Sequence, residues 1–179
     1  VGQMMEPHPG RVNRDVFYES LLDQTGVDLN EHWHVYERFY RDVFPTLAGA
    51  SGPAKGARRA VTTALELGLR VAIATNPILP REAVEHRLAW AGLDDLEFGA
   101  ITTYEEMYAC KPHADYYRQT AGLLGVPTSE CMMVGDDRTL DLPAADVGMR
   151  TFYVGADPLA AADIRGDLDE LADLLPRIV

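Results

Sequence analysis

The sequence predicts an α/β fold built on a doubly wound parallel sheet, with a helical module in front of it. Three observations point there. From residue 69 onward, short apolar runs without polar alternation interleave with amphipathic segments, the pattern of strands buried on both faces. Glycines stand where those helical segments should stop. Before residue 48 the pattern is helical only and rich in rings.

The elements follow in order. Asn13 is placed to cap a first helix whose apolar face is Val16, Phe17, Leu21 and Leu22, and Gly26 is placed to end it. Asp28 or Asn30 can cap a second helix, in which Trp33, Tyr36 and Tyr40 recur at spacings of three and four, with Val35 and Phe39 alongside. Seven of the fifteen aromatic residues fall between Phe17 and Phe44, so this module is expected to pack ring on ring. The Gly-, Ala-, Ser- and Pro-rich stretch 45–56 reads as a joint. These signals divide the chain into a helical module over 1–48 and an α/β unit over 49–179.

In the second part, a helix near 54–67 ends at Gly68 and leads into the run 69–74. A helix near 80–91, ended by Gly92, leads into 98–102, and one near 113–124 leads into 130–134. A helix ending near Gly148 leads into 151–154, and a last helix covers about 167–175. Met132 and Met133 are expected as buried strand residues.

Composition narrows the function classes. The chain is 47% hydrophobic and 25% charged, which suits a globular domain. No apolar run approaches the roughly 20 residues of a spanning helix, and the opening VGQMMEPHPG lacks the form of a secretory signal. A net charge of -12 repels phosphate backbones, so neither nucleic acid nor a membrane is an expected partner. Cys110 and Cys131 form neither a disulfide framework nor a metal knuckle and are read as reduced thiols of a cytoplasmic protein. His32 and His34, two apart on a helix, face different directions and do not make a metal pair.

Ligands of open α/β sheets bind beyond the carboxyl ends of the strands. There the sequence sets Thr75-Asn76 after one run, Lys111-Pro112 before a helix, and Gly135-Asp136-Asp137 with Asp141 after another run. A hydroxyl and following N–H groups suit phosphate oxygens. A lysine supplies positive charge where phosphoryl charge accumulates. Clustered carboxylates are hard oxygen ligands that suit Mg²⁺. The expected partner is a small phosphorylated substrate.

VAIATN, CKPHADYY and MMVGDDRTLDLPAADVGM resemble, in order, the second, third and fourth motifs of the haloacid dehalogenase-like superfamily. The resemblance covers about residues 54–155. It implies a Rossmann-like core with a helical cap, residues 1–48 being what remains of the cap, and a Mg²⁺-dependent phosphohydrolase working through an aspartyl-phosphate. It also implies roles. Thr75 and Lys111 are catalytic, and Thr75, Asn76 and Lys111 bind phosphate. Asp136, Asp137 and Asp141 form the metal set, with either Asp136 or Asp137 as the direct ligand. Response-regulator receivers use similar residues in another chain order, and dehalogenases of this fold need no metal.

The family's first motif, Asp-x-Asp after an apolar strand, has no counterpart before Thr75: Asp15, Asp23, Asp28 and Asp42 each lack an Asp two positions away. The expectation is that the central nucleophile strand and part of the cap lie outside these residues. A binding-only relative is the alternative, and a non-catalytic chain gives the retained Thr75, Lys111 and acidic cluster no purpose. Loss of a middle strand also exposes two inner sheet edges. Residues 1–179 alone are therefore expected not to hydrolyse phosphate esters, and to be a monomer or a homodimer.

Overall fold

The computed structural model describes residues 1–179. They form two compact units, and the chain passes between them several times. One comprises Val1–Pro53, Thr75–Asp95 and Ile101–Cys110; the other comprises Ala54–Ala74, Leu96–Ala100 and Lys111–Val179.

The first unit is helical. Its α1 spans Asn13–Thr25 and ends at Gly26, whose φ of 73° is the left-handed turn expected there. Asn13 is not the cap. Val12 occupies that position, and the first N–H groups of α1 donate instead to loop carbonyls, Asn13 to Met107 at 2.7 Å and Arg14 to Tyr104 at 2.8 Å. With those donors satisfied, no capping side chain is needed. The Asn13 amide turns inward, buried, and donates to the Pro77 carbonyl at 3.1 Å and to Cys110 Sγ at 3.4 Å.

The second predicted helix starts as α2, Trp33–Arg38, but loosens into a π-helical turn over Phe39–Val43 and a 3₁₀ helix over Phe44–Ala50. Pro45 has no N–H to close an α turn onto residue 41. The rings pack on one another as the spacing implies. Phe17, Tyr36, Tyr40 and Phe44 follow at 6.3, 5.6 and 5.4 Å between centroids. The run ends with Phe44 stacked at 5.2 Å on Trp90 of α4, Arg81–Trp90. Burial in this company pushes the Tyr40 hydroxyl up to about 12.

A small core of Met4, Val16 and Cys110, joined by Met5, Phe17 and Ile78, closes the first unit. Cys110 is fully buried. Desolvation pushes its thiol up to about 11, against the lowering effect of the Asn13 bond. Alkylation of the native protein at neutral pH is therefore expected at part-exposed Cys131 and not at Cys110, which should label only on unfolding. Equal labelling of both by peptide mass mapping would contradict this burial.

The second unit holds the sheets. Strand β1, Ala72–Ile73, pairs with β2, Ala100–Ile101; β3, Met132–Gly135, β4, Arg150–Tyr153, and β5, Ile164–Arg165, form a second sheet. The three strands are parallel, with Val134 opposite Phe152 and Phe152 opposite Ile164. The edge strand β5 carries only two residues, one of them Arg165, too short and polar for an apolar-run signal in the sequence.

Both faces of that sheet are covered, as a doubly wound arrangement requires. On one, α3 (Ala57–Glu66) and α6 (Leu168–Ile178) bury Ala60, Ala64, Leu171, Ala172 and Leu175 around Phe152, and Val71, Met132, Val134 and Ile164 pack against them. On the other, Tyr153 meets Leu142 of the 3₁₀ helix Leu142–Val147, which packs on α5, Ala114–Leu124. Two local devices fix α6. Asp167 and Glu170 form a reciprocal capping box, both bonds 2.8 Å. Gly56, at φ 78°, brings the start of α3 so close that a Cβ there would stand 2.8 Å from the Asp169 amide.

No helix is long and apolar enough to cross a membrane.

Candidate functional site

In the second unit, strand β3 ends at Gly135, and the chain turns through Asp136 and Asp137 towards Asp141. The turn is built by Asp137. Its Oδ1 accepts from the Thr139 hydroxyl and amide, both at 2.7 Å, and from the Leu140 amide at 3.1 Å. These bonds, the hydroxyl's first, hold the carboxyl below the usual aspartate range.

The turn carries Asp141 back under the strand end. Its Oδ2 accepts from the Asp137 amide at 3.0 Å, and its Oδ1 accepts from Lys111 Nζ at 2.6 Å. Both side chains are buried, with 10% of Lys111 and 7% of Asp141 exposed. Gly135 is required here because an added Cβ would collide with the Asp141 carboxylate.

Lys111 is seated from a second side. Its ammonium lies 5.6 Å from the ring centroid of buried Tyr116, within cation–π range. The adjacent Tyr117 donates from its hydroxyl to the Leu140 carbonyl at 2.7 Å, tying α5 to the acidic turn. Burial first, then the negative charge of Asp141, raises the Tyr117 hydroxyl well above its ordinary value. Neither tyrosine was expected at the site from sequence. The signal was available: five and six residues after the lysine, their rings lie one turn into the helix that the Lys-Pro pair opens.

The carboxylates therefore have different duties. Asp137 and Asp141 are engaged by the protein itself. Asp136 is exposed, and its carboxylate has no hydrogen-bond or ion-pair partner. No three His, Cys, Asp or Glu side chains converge as a ready metal cage. A hard divalent ion that retains waters and needs only one or two carboxylates fits such a donor set; a dedicated all-protein cage does not.

Thr75 and Asn76 belong to the first unit. The Thr75 carbonyl accepts from the buried Thr102 hydroxyl at 2.7 Å, and Asn76 Nδ2 lies 4.0 Å from Met5 Sδ. The Asn76 carbonyl accepts from the Ile78 amide at 2.9 Å. This segment is thus a bonded turn held by its neighbours in the helical unit.

The family model for haloacid dehalogenase-like hydrolases matches residues 10–147. A pyrophosphatase of Bacillus cereus is 31% identical over 114 residues, which are 61% of this chain and 51% of that protein. A phosphoglycolate phosphatase of Pectobacterium atrosepticum is 28% identical over 172 residues, 92% of this chain and 72% of that one. The chain spans about half the length of the pyrophosphatases it matches. In structure, a phosphatase of Thermococcus onnurineus superposes with a TM-score of 0.63 over 93% of this chain and 94% of that one, at 20% identity, a likeness of fold. With most of its length matched and its helices wound on both faces of a parallel sheet, the chain belongs to the haloacid dehalogenase-like hydrolase family.

Proposed function

We propose that this chain carries the phosphate-neutralising and metal-binding half of a Mg²⁺-dependent phosphomonoester hydrolase acting on a small phosphorylated metabolite. The observation that carries the reading is the buried Lys111–Asp141 pair at the carboxyl end of β3, beside the unpartnered carboxylate of Asp136. The phosphatases among its relatives support the reaction class.

Each residue then has a task. Asp136 is the carboxylate that holds the ion. Asp137 shapes the turn that presents it, and this supports Asp136 as the ligand of the two. Asp141 orients Lys111, whose ammonium supplies positive charge to phosphoryl oxygens. Thr75 and Asn76 are, by the family resemblance, phosphate-binding residues carried by the first unit. Mg²⁺, when bound, neutralises phosphoryl charge. Residues 1–48 serve as the cap that selects the substrate.

The attacking carboxylate comes from outside residues 1–179, on an extended segment seated between β1 and β3. In the two sheets β1 neighbours β2 and β3 neighbours β4, and Val71, which precedes β1, packs with Met132 and Val134 of β3 on the core around Phe152. The residues of β1 are half-buried, as are Met132, Val134 and Gly135 of β3, whereas Thr151, Phe152 and Tyr153 of the middle strand β4 are buried. One further parallel strand would join the two sheets into one. Its carboxylate would bond to phosphorus, releasing the alcohol, and water would then cleave the acyl phosphate to inorganic phosphate and the free carboxylate.

Calorimetric titration tests the assignment of roles. Mg²⁺ is expected to bind the chain at one site, and Asp136→Asn to weaken it by about tenfold or more, with Asp137→Asn affecting the fold of the turn more than the affinity. Equal Mg²⁺ affinity in Asp136→Asn and the unsubstituted protein would refute the role given to Asp136.

A further inference from the structure

The turn that presents Asp136 is held from a second direction, by the segment that follows β4 in the same unit. The Val154 amide donates to the Gly135 carbonyl at 2.9 Å, and Gly155 comes next, in close approach to the Asp136 backbone. A Cβ on Gly155 would stand 2.7 Å from the Asp136 carbonyl oxygen and would collide with the hydroxyl of buried Tyr153. The φ of Gly155 is not in the left-handed region, so space and not conformation requires glycine here.

That segment is itself anchored. Arg165, on the edge strand β5, donates to the carbonyls of Asp157, Ala160 and Pro158 at 2.6, 3.0 and 3.3 Å. Its guanidinium lies 5.2 Å from the Tyr153 ring centroid, within cation–π range. Asp157 then reaches back to the acidic turn. Its Oδ1 accepts from the Leu159 amide at 2.9 Å, and its Oδ2 pairs with Arg138 Nε at 3.0 Å. Arg138 stands between Asp137 and Thr139, whose bonds to each other build the turn. One anchored segment thus clasps the turn twice, Gly155 at the Asp136 carbonyl and Asp157 at Arg138.

The phosphoryl chemistry itself uses neither contact, and stability explains the pair poorly. Its side chains are 46% and 35% exposed, a setting in which an ion pair adds little to the fold. What both contacts constrain is where the Asp136 backbone stands.

We propose that Gly155, Asp157 and Arg138 are positioning residues for the divalent ion, holding the turn so that the Asp136 carboxylate is presented in one place. That carboxylate has no partner in the protein, so its backbone is what orients it. A ligand fixed in advance loses less freedom when the ion binds. The inference rests on Asp136 being the carboxylate that holds the ion.

Calorimetric titration of Mg²⁺ into the chain and three variants tests it. Gly155→Ala is expected to weaken Mg²⁺ by about tenfold, the lower end of what outer partners of a metal ligand contribute. Arg138→Gln and Asp157→Asn should each weaken it by about two- to fivefold, the scale on which an exposed pair acts. The sign separates position from charge. By field alone, losing the Arg138 cation would tighten Mg²⁺ binding and losing the Asp157 anion would loosen it; a geometric role loosens it in both. Urea unfolding without Mg²⁺ checks that each variant is folded, and the two pair variants, at part-exposed side chains, keep the test open if Gly155→Ala is not. Parent-like affinity in folded Gly155→Ala or in both pair variants, or tighter binding in Arg138→Gln, overturns this inference and leaves Asp136 as the ligand. Absence of Mg²⁺ binding by the unsubstituted chain overturns the reading of Asp136 and this inference with it.

Discussion

Lys111→Ala is expected to destabilise the protein by about 3–5 kcal/mol, the range for breaking one side of a buried ion pair. The loss comes less from the missing attraction than from what is left behind. Asp141, with a side chain only 7% exposed, would keep a single donor, the Asp137 amide, for a charge that had two. An uncompensated buried charge is the costly species. Asp141→Ala removes the carboxylate that accepts from the buried Lys111 ammonium at 2.6 Å and should also be destabilising. The double variant Lys111→Met with Asp141→Leu, which removes both charges and fills the space, is expected to be markedly more stable than either alanine variant. Urea unfolding of the set, read as a double-mutant cycle, tests this. A Lys111→Ala loss below about 1 kcal/mol, the scale of an exposed pair, would mean that the pair is open to water and that Asp141 does not fix Lys111.

Phe152→Ala is expected to cost about 3–5 kcal/mol, through lost burial and the cavity it creates. Phe152 is 1% exposed on the middle strand β4, and the cluster around it draws on α3, α6, β3 and β5 at once. Few other single side chains hold both the sheet and its covering helices. The unfolding midpoint in urea should fall with little change in the slope. Phe152→Leu, which retains most of the volume, should recover the larger part. A loss of similar size for both would point to a requirement for the ring itself and not to its volume.

These two residues also illustrate how differently core and site could be read from the sequence. Phe152 lies in a run, TFYV, whose apolar character and length already mark a strand, and the helices on either side have apolar faces that must be covered. The α/β class, the position of five of the helical segments and the strand ends that precede Thr75 and Asp136 were legible for that reason. Periodicity and glycine stops are local properties of the chain. The short edge strand β5 was not legible, because two residues set no period. Nor was the loosening after Arg38, where Pro45 and the ring-on-ring packing set the backbone together.

The acidic cluster shows the limit most clearly. From sequence, Asp136 and Asp137 are alternative direct ligands near one strand end, with Asp141 as a supporting carboxylate, and residue type does not choose between the first two. The structure separates them by hydrogen bonding: Asp137 is spent on its own turn, Asp141 on Lys111, and Asp136 alone keeps its lone pairs. Likewise Asn13, a cap by spacing, becomes a buried strut because loop carbonyls from residues 104 and 107 took over the capping.

What the sequence determined by itself was the class of fold and the kinds of chemistry available, because apolar period, turn glycines and residue type are written along the chain. What only the tertiary structure decided was the division of labour among like residues: which carboxylate is satisfied by the protein, which tyrosine seats the lysine, which amide is buried. That division depends on partners 30 to almost 100 residues away, as in Lys111–Asp141 and Asn13–Cys110, and hydrogen-bond satisfaction in a dry interior is settled only when those partners meet.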